Sequence, residues 1–266
     1  VASRWAALPG WAGLAAAGLV WAWLCGRILR HRLFVSADSV NNYAHVWYVG
    51  QRLWQAHRIP WRMPMLGHGQ AYAFPYAFLP WLSAALLRPL GGDWTVTLWL
   101  VVGAVGVVAA TFWAFPELRR PWWAALVLSN PAPLARLLIG QLPFLWAMAF
   151  LLAAIGCWRR GRVVPAVLLA GVAQATHPAV AMPLAGVLVL AWLPWAPRRR
   201  VLLGAYALSL VLWAPAAWIV AASPVYEDNS RWRLFDDLLD TLWARGGVLA
   251  VPILLAGLAR TRRRWA

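Results

Sequence analysis

Apolar residues run along this chain in blocks of about twenty, broken by short arginine-rich stretches, with no alternation of the kind a strand shows. A helix needs about 20 apolar residues to cross a bilayer. The pattern predicts spans over Leu8–Leu29, Ala71–Leu90, Trp94–Phe115, Gln141–Trp158 and Val201–Ala221. Val163–Pro197 is too long for one span and carries His177-Pro178 near its middle, which predicts two short helices turning there. Pro121–Gly140 is broken by Asn130-Pro131 and Pro133 and carries Arg136, so it either crosses or re-enters. Leu239–Ala259 reads as a last span, with Arg245 at its start.

Two stretches do not read as spans. In the loop of residues 30–70, Val40, Tyr43, Trp47 and Trp54 recur at helical spacing, predicting an amphipathic helix at the interface. Residues 223–240 carry five of the eight acids, and residues 241–266 hold the last span and a basic tail. The fold class is therefore all-α: a single polytopic membrane domain of 8–9 transmembrane segments, with its helical bundle over residues 71–221.

Composition supports that class. The chain of 266 residues is 63% hydrophobic and 12% charged, against about 45–50% and about 25% in soluble domains. A soluble globule could not cover such a core, and disorder requires low hydrophobicity. All 24 basic residues are arginine, which points to a GC-rich, bacterial genome and a multi-pass protein of the plasma membrane. A net charge of +16 in a soluble chain would suggest nucleic acid. Here the arginines cluster between apolar blocks, as cytoplasmic loops do, and nucleic acid is not expected as a partner. Cys25 and Cys157 lie in or at the end of apolar segments and make no disulfide framework. The chain opens on Val1, as a literally translated GTG start or a fragment would.

The clusters Arg159–Arg162, Arg198–Arg200 and Arg260–Arg264 are expected in the cytoplasm, which sets His177 and the acidic loop outside. The first half is less determined. If Pro121–Gly140 crosses, nine spans put the 30–70 loop inside, as its arginine count favours. If it re-enters, eight spans put that loop outside.

In chain order come a span, a loop opening S-A-D-S-V-N-N-Y, an amphipathic helix, G-H-G-Q-A-Y-A-F-P-Y, S-N-P-A-P, I-G-Q-L-P, R-R-G-R and A-T-H-P. This layout resembles the GT-C superfamily of polytopic membrane glycosyltransferases, above all the bacterial polyprenyl-phosphate-sugar-dependent members. The resemblance covers most of the chain through short motifs, and it favours an external first loop. It implies that Asp38 is the acid of that loop, a catalytic base or metal ligand. It also implies that Gly140-Gln141 opens a span near the active site and that Tyr72 and Tyr76 stand at the mouth of span two. His177-Pro178 occupies the place of a Lys-Pro in many relatives, and a histidine is cationic only when protonated. The chain is shorter than most relatives.

Sugar transfer from a lipid phosphate to a hydroxyl needs a carboxylate to take the acceptor's proton and cations to hold the phosphate. Asp38 is the only acid before Asp93. From the residues alone, Asp38 or Ser39 equally caps the helix that follows. The resemblance makes Asp38 the general base, and the two roles are compatible. His45 follows Asp38 by seven residues, about two helical turns, and with His68 and His177 could bind a divalent metal. The spacing matches no metal signature, so no metal is assigned and an interfacial histidine is the plainer reading. Arg52, Arg58 and Arg62 read as headgroup contacts. Arg136, inside an apolar stretch, is a candidate for binding phosphate, with snorkelling as the alternative. Gln141 satisfies its amide through a neighbouring helix or a substrate hydroxyl. Glu227 and Asp228 fit a solvated loop.

The expected partners are a polyprenyl-phosphate sugar donor, a lipid or cell-envelope glycan acceptor and membrane lipids. A secondary transporter or flippase is the alternative, weakened by the lack of an acid deep in any span. A non-catalytic assembly subunit with the same fold is a third reading.

Overall fold

The structure, a computed structural model, describes residues 8–60 and 78–214. These form α1 (Leu8–Leu29), α2 (Ser39–Ala56), α3 (Phe78–Gly91), α4 (Trp94–Ala114), α5 (Pro121–Leu128), α6 (Pro131–Ile139), α7 (Leu142–Arg159), α8 (Val163–Thr176), α9 (Pro178–Trp192) and α10 (Arg199–Val211). Short 3-10 turns follow α4 and α9. Among the described residues there is no strand, and the helices over Gly10–Leu29, Trp94–Ala114 and Leu142–Arg159 are long and apolar enough to cross a membrane. The expected last span, the acidic loop, Arg260–Arg264, His68, Tyr72, Tyr76, Glu227 and Asp228 lie outside the described residues.

The core is built on α4 and α7, which run side by side in the same direction. Trp146 lies under Trp99, with its indole donating to the Trp99 carbonyl at 3.0 Å. At the far end the Arg159 guanidinium donates to the Ala114 carbonyl and to Glu117, at 2.6 and 2.9 Å. Small residues allow the approach: a Cβ on Gly103 would meet the Trp146 ring at 2.9 Å, and one on Gly156 would collide with Trp113.

Because α4 and α7 point the same way, the chain between them must return along their length. It does so as the broken pair α5 and α6. Pro131 cannot donate to the preceding turn, so α5 ends there. The orphaned Leu128 carbonyl accepts the Trp21 indole N–H at 2.9 Å. Asn130 then caps α6, its side-chain oxygen accepting from the Ala132 amide at 3.0 Å, with Pro131 in the first helical position. The turn between α8 and α9 falls at His177-Pro178, as the sequence predicts.

Two expectations are met differently. The Trp94 indole donates to the Leu29 carbonyl at 2.9 Å, so α1 ends where α4 begins and the chain between them comes back to its starting end. The described half of the Ala71–Leu90 segment, α3, lies along α2: Trp54 donates to the Ala85 carbonyl at 3.0 Å and Trp81 to the Asn42 side chain at 2.9 Å. Ser83, Arg88 and Pro89 interrupt its apolar run, and Ser83 accepts the Trp99 indole at 2.6 Å.

The second is α2 itself. Its interfacial stripe is present, but Val40, Trp47 and Trp54 face outward and the buried face carries Ser39, Asn42 and His45. Polar groups can turn inward here because the bundle supplies them with partners.

Candidate functional site

The site forms where the loop before α2 docks on the turn between α6 and α7. That turn closes α6 with Gly140 in the left-handed region, φ 83°, and the Gln141 amide reaching back to the Arg136 carbonyl at 2.9 Å. Only glycine fits: a Cβ there would meet the Ser36 hydroxyl at 2.6 Å and Ser39 at 2.8 Å. The carbonyls left over at the end of α6 are claimed by the first loop. Ile139 O accepts the Asp38 backbone amide at 2.9 Å and the Ser36 hydroxyl at 2.8 Å. Gly140 O accepts the Asn42 side-chain amide at 2.7 Å.

These bonds hold the Asp38 backbone beside Gly140-Gln141. Asp38 precedes α2, yet its carboxylate makes no capping bond. Ser39 takes the turn's work instead, its hydroxyl accepting from the Ser36 amide at 2.7 Å. The Asp38 side chain is partly buried and, among the described residues, has no ion-pair partner.

Arg136 and Gln141 form one unit. The guanidinium donates to Gln141 Oε1 at 2.7 Å and lies over the Phe144 ring at 5.1 Å. Phe144 in turn stands edge-on to His177, 6.1 Å between centroids, which puts His177 in electrostatic range of Arg136. Arg136 is only 8% exposed, so the end of the bundle near Asp38 carries a buried positive charge. Buried charges are tolerated when hydrogen-bonded and stacked in this way.

Of the residues singled out in the sequence, the structure thus brings Asp38, Arg136, Gln141 and His177 to one end of the bundle. His45 is separated from them in role. It is fully buried, stacked on Trp81 at 3.8 Å, and its Nδ1 meets the Asn41 carbonyl at 2.7 Å, which fixes the proton on Nδ1. Burial pushes its imidazole down to about 4, against the opposing backbone bond to Asn41. His45 is packed neutral and presents no face to a ligand. Among the described residues no group of three His, Cys, Asp or Glu side chains is placed to hold a metal ion.

Asn42 and Ser36 are the members that sequence reading passed over. Asn42 bridges α2, the Gly140 turn and Trp81, and also donates to the Asp38 carbonyl at 3.1 Å. The signal was its position four residues after Asp38, one helical turn on. No protein-family model, no curated protein and no solved structure matches this chain.

Proposed function

We propose that the chain is a multi-pass protein of a bacterial plasma membrane, and that the Asp38 end of its bundle transfers a sugar from a polyprenyl-phosphate donor to a lipid or cell-envelope glycan. The observation that carries this reading is the juxtaposition of an uncapped, partly exposed carboxylate with the Gly140-Gln141 turn and the Arg136 charge. A general base must be accessible and not already bonded, and Asp38 meets both conditions. It takes the proton from the acceptor hydroxyl as that oxygen attacks the anomeric carbon, and the phosphate leaves with the bonding pair. Arg136, held rigid by Gln141 and Phe144, supplies positive potential where that phosphate charge develops. The resemblance in motif order to GT-C enzymes points the same way.

The arrangement of ends supports an external site. Arg119, Arg120, Arg159, Arg160, Arg162 and Arg198–Arg200 flank the opposite ends of α4, α7, α8 and α10. The positive-inside bias then sets that end in the cytoplasm and Asp38 on the outer side, with α5 and α6 together making one crossing. The test is transfer by purified protein in proteoliposomes, offered radiolabelled polyprenyl-phosphate hexoses and pentoses with a membrane extract as acceptor. Label passing to a glycan or lipid product, and failing to pass with Asp38→Asn, supports the reading. Equal transfer by Asp38→Asn defeats the assignment of the base.

A further inference from the structure

The opposite end of the bundle holds a second feature. There the last turns of α7 and α9 meet the first turns of α8 and α10, and a cleft of about 80 Å³ opens between the four helices. Leu151, Ile155, Trp158, Leu188, Trp192 and Leu202 are the larger apolar side chains of its wall. Its polar side chains are spent on the protein. Ser209 donates to the Tyr206 carbonyl at 2.6 Å and accepts from Gln174, and Tyr206 donates to the Met182 carbonyl at 3.2 Å. The cleft therefore has hydrocarbon to offer and little else.

All four helix ends bounding it carry arginine: Arg159, Arg160 and Arg162 between α7 and α8, and Arg198–Arg200 between α9 and α10. Several are already committed. Arg159 holds Glu117 and the Ala114 carbonyl, Arg160 holds the Gly156 and Trp113 carbonyls, and Arg199 donates to the Pro194 carbonyl. Arg162, Arg198 and Arg200 are exposed, and among the described residues their side chains have no hydrogen-bond or ion-pair partner. Three uncommitted cations thus stand at the starts of α8 and α10, whose first turns supply Ala166 and Leu202 to this largely apolar cleft.

We propose that this end is a binding site for an anionic diacyl phospholipid, a few methylenes of one acyl chain seated in the cleft and the phosphate meeting Arg162, Arg198 and Arg200. The inference rests on the multi-pass reading above, but not on the sugar-transfer chemistry, since the site lies at the far end of α7 from Gln141. Lipid tails are as apolar as leucine, so the cleft supplies shape and the arginines supply selectivity. Basic pockets between helices on the cytoplasmic side select anionic headgroups for this reason. The free anion lacks the chain that the cleft fits.

The experiment is native mass spectrometry of the detergent-purified full chain titrated with phosphatidylglycerol or phosphatidylcholine. Phosphatidylglycerol is expected to be retained at least tenfold more strongly. That preference is lost in the triple variant Arg162→Gln, Arg198→Gln, Arg200→Gln, and retention itself is lost when Ala170→Phe fills the cleft. Should Ala170→Phe lower the melting temperature, the milder Ala205→Leu carries the same test. Equal retention of the two lipids overturns the proposal. Full retention in a folded cleft-filled variant also overturns it, as does displacement of the lipid by excess glycerol 3-phosphate, which would assign the arginines to a soluble phosphate. Release of the protein from membranes by alkaline wash without detergent overturns the membrane reading itself, a failure distinguishable from loss of lipid preference in a protein that needs detergent.

Discussion

The Asn42 side chain donates to the Gly140 carbonyl across 2.7 Å, joining residues 98 positions apart, while its oxygen accepts the Trp81 indole at 2.9 Å. All three groups are buried, and one amide makes both hydrogen bonds out of water. Leaving a buried polar group unsatisfied costs about 1–3 kcal/mol. Asn42→Ala should therefore destabilise the chain by about 2 kcal/mol or more. Thermal unfolding in detergent reads this, and a melting point equal to that of the parent would show that the bridge carries no stability.

Gly140→Ala should be worse. A left-handed backbone costs a non-glycine residue about 1–2 kcal/mol, and the new Cβ would press on Ser36 and Ser39, which hold the Asp38 loop. Loss of stability together with loss of transfer is expected. Gly106→Ala serves as the control, because its Cβ would rest at an ordinary 3.5 Å from Ala149. If both variants behave alike, the tight docking of the first loop is not what shapes the site.

Asp38→Asn should separate chemistry from folding. General-base removal typically costs about 10²–10⁴ in rate. Because the carboxylate makes no capping bond, the melting temperature should move little. A large drop in melting temperature would make Asp38 a structural residue instead.

His45 predicts an acid-side loss of stability. Its folded imidazole is held down near 4, below the ordinary value of about 6.5, so between those values the unfolded chain binds the extra proton. Stability should be level above pH 6.5 and fall as pH drops towards 4, by up to about 1.4 kcal/mol per pH unit. His45→Phe keeps a ring against Trp81 and should flatten that slope. An unchanged slope would place the titrating group elsewhere.

Orientation can be read by thiol labelling with Cys25 and Cys157 replaced by serine. Val35→Cys is suited to this, since Val35 is 71% exposed whereas Ser39 is buried under Gly140. An impermeant reagent should label Val35→Cys in intact cells and Arg162→Cys only after lysis. The reverse pattern would turn the bundle over and set Asp38 in the cytoplasm.

Much of this was legible in the residues. The proline breaks at Asn130-Pro131 and His177-Pro178 act locally, through a missing N–H, and the helices end where they say. The limits of α1, α4 and α7 follow from apolar length alone. The buried face of α2 was not legible, because Asn42 and His45 point inward only by virtue of Gly140 and Trp81, which lie far along the chain. The placing of α3 along α2 was not legible for the same reason: the bonds from Trp54 to Ala85 and from Trp81 to Asn42 join residues far apart in the chain. Arg136, Gln141 and His177 stood out singly, and only folding put them beside Asp38.

The docking of Asn42 on Gly140 also has a consequence in time. A ribosome adds about 5–20 residues per second, so the first loop leaves the ribosome about 5–20 s before Gly140 does. Throughout that interval the bonds from Asn42 to the Gly140 carbonyl and from the Ser36 hydroxyl to the Ile139 carbonyl have no acceptor in the nascent chain, and water takes their place. The exposed Trp47 can moor the nascent helix at the membrane surface meanwhile. Assembly of the Asp38 end thus waits for the sixth helix, and any variant that slows its emergence prolongs the exposure of a half-built site.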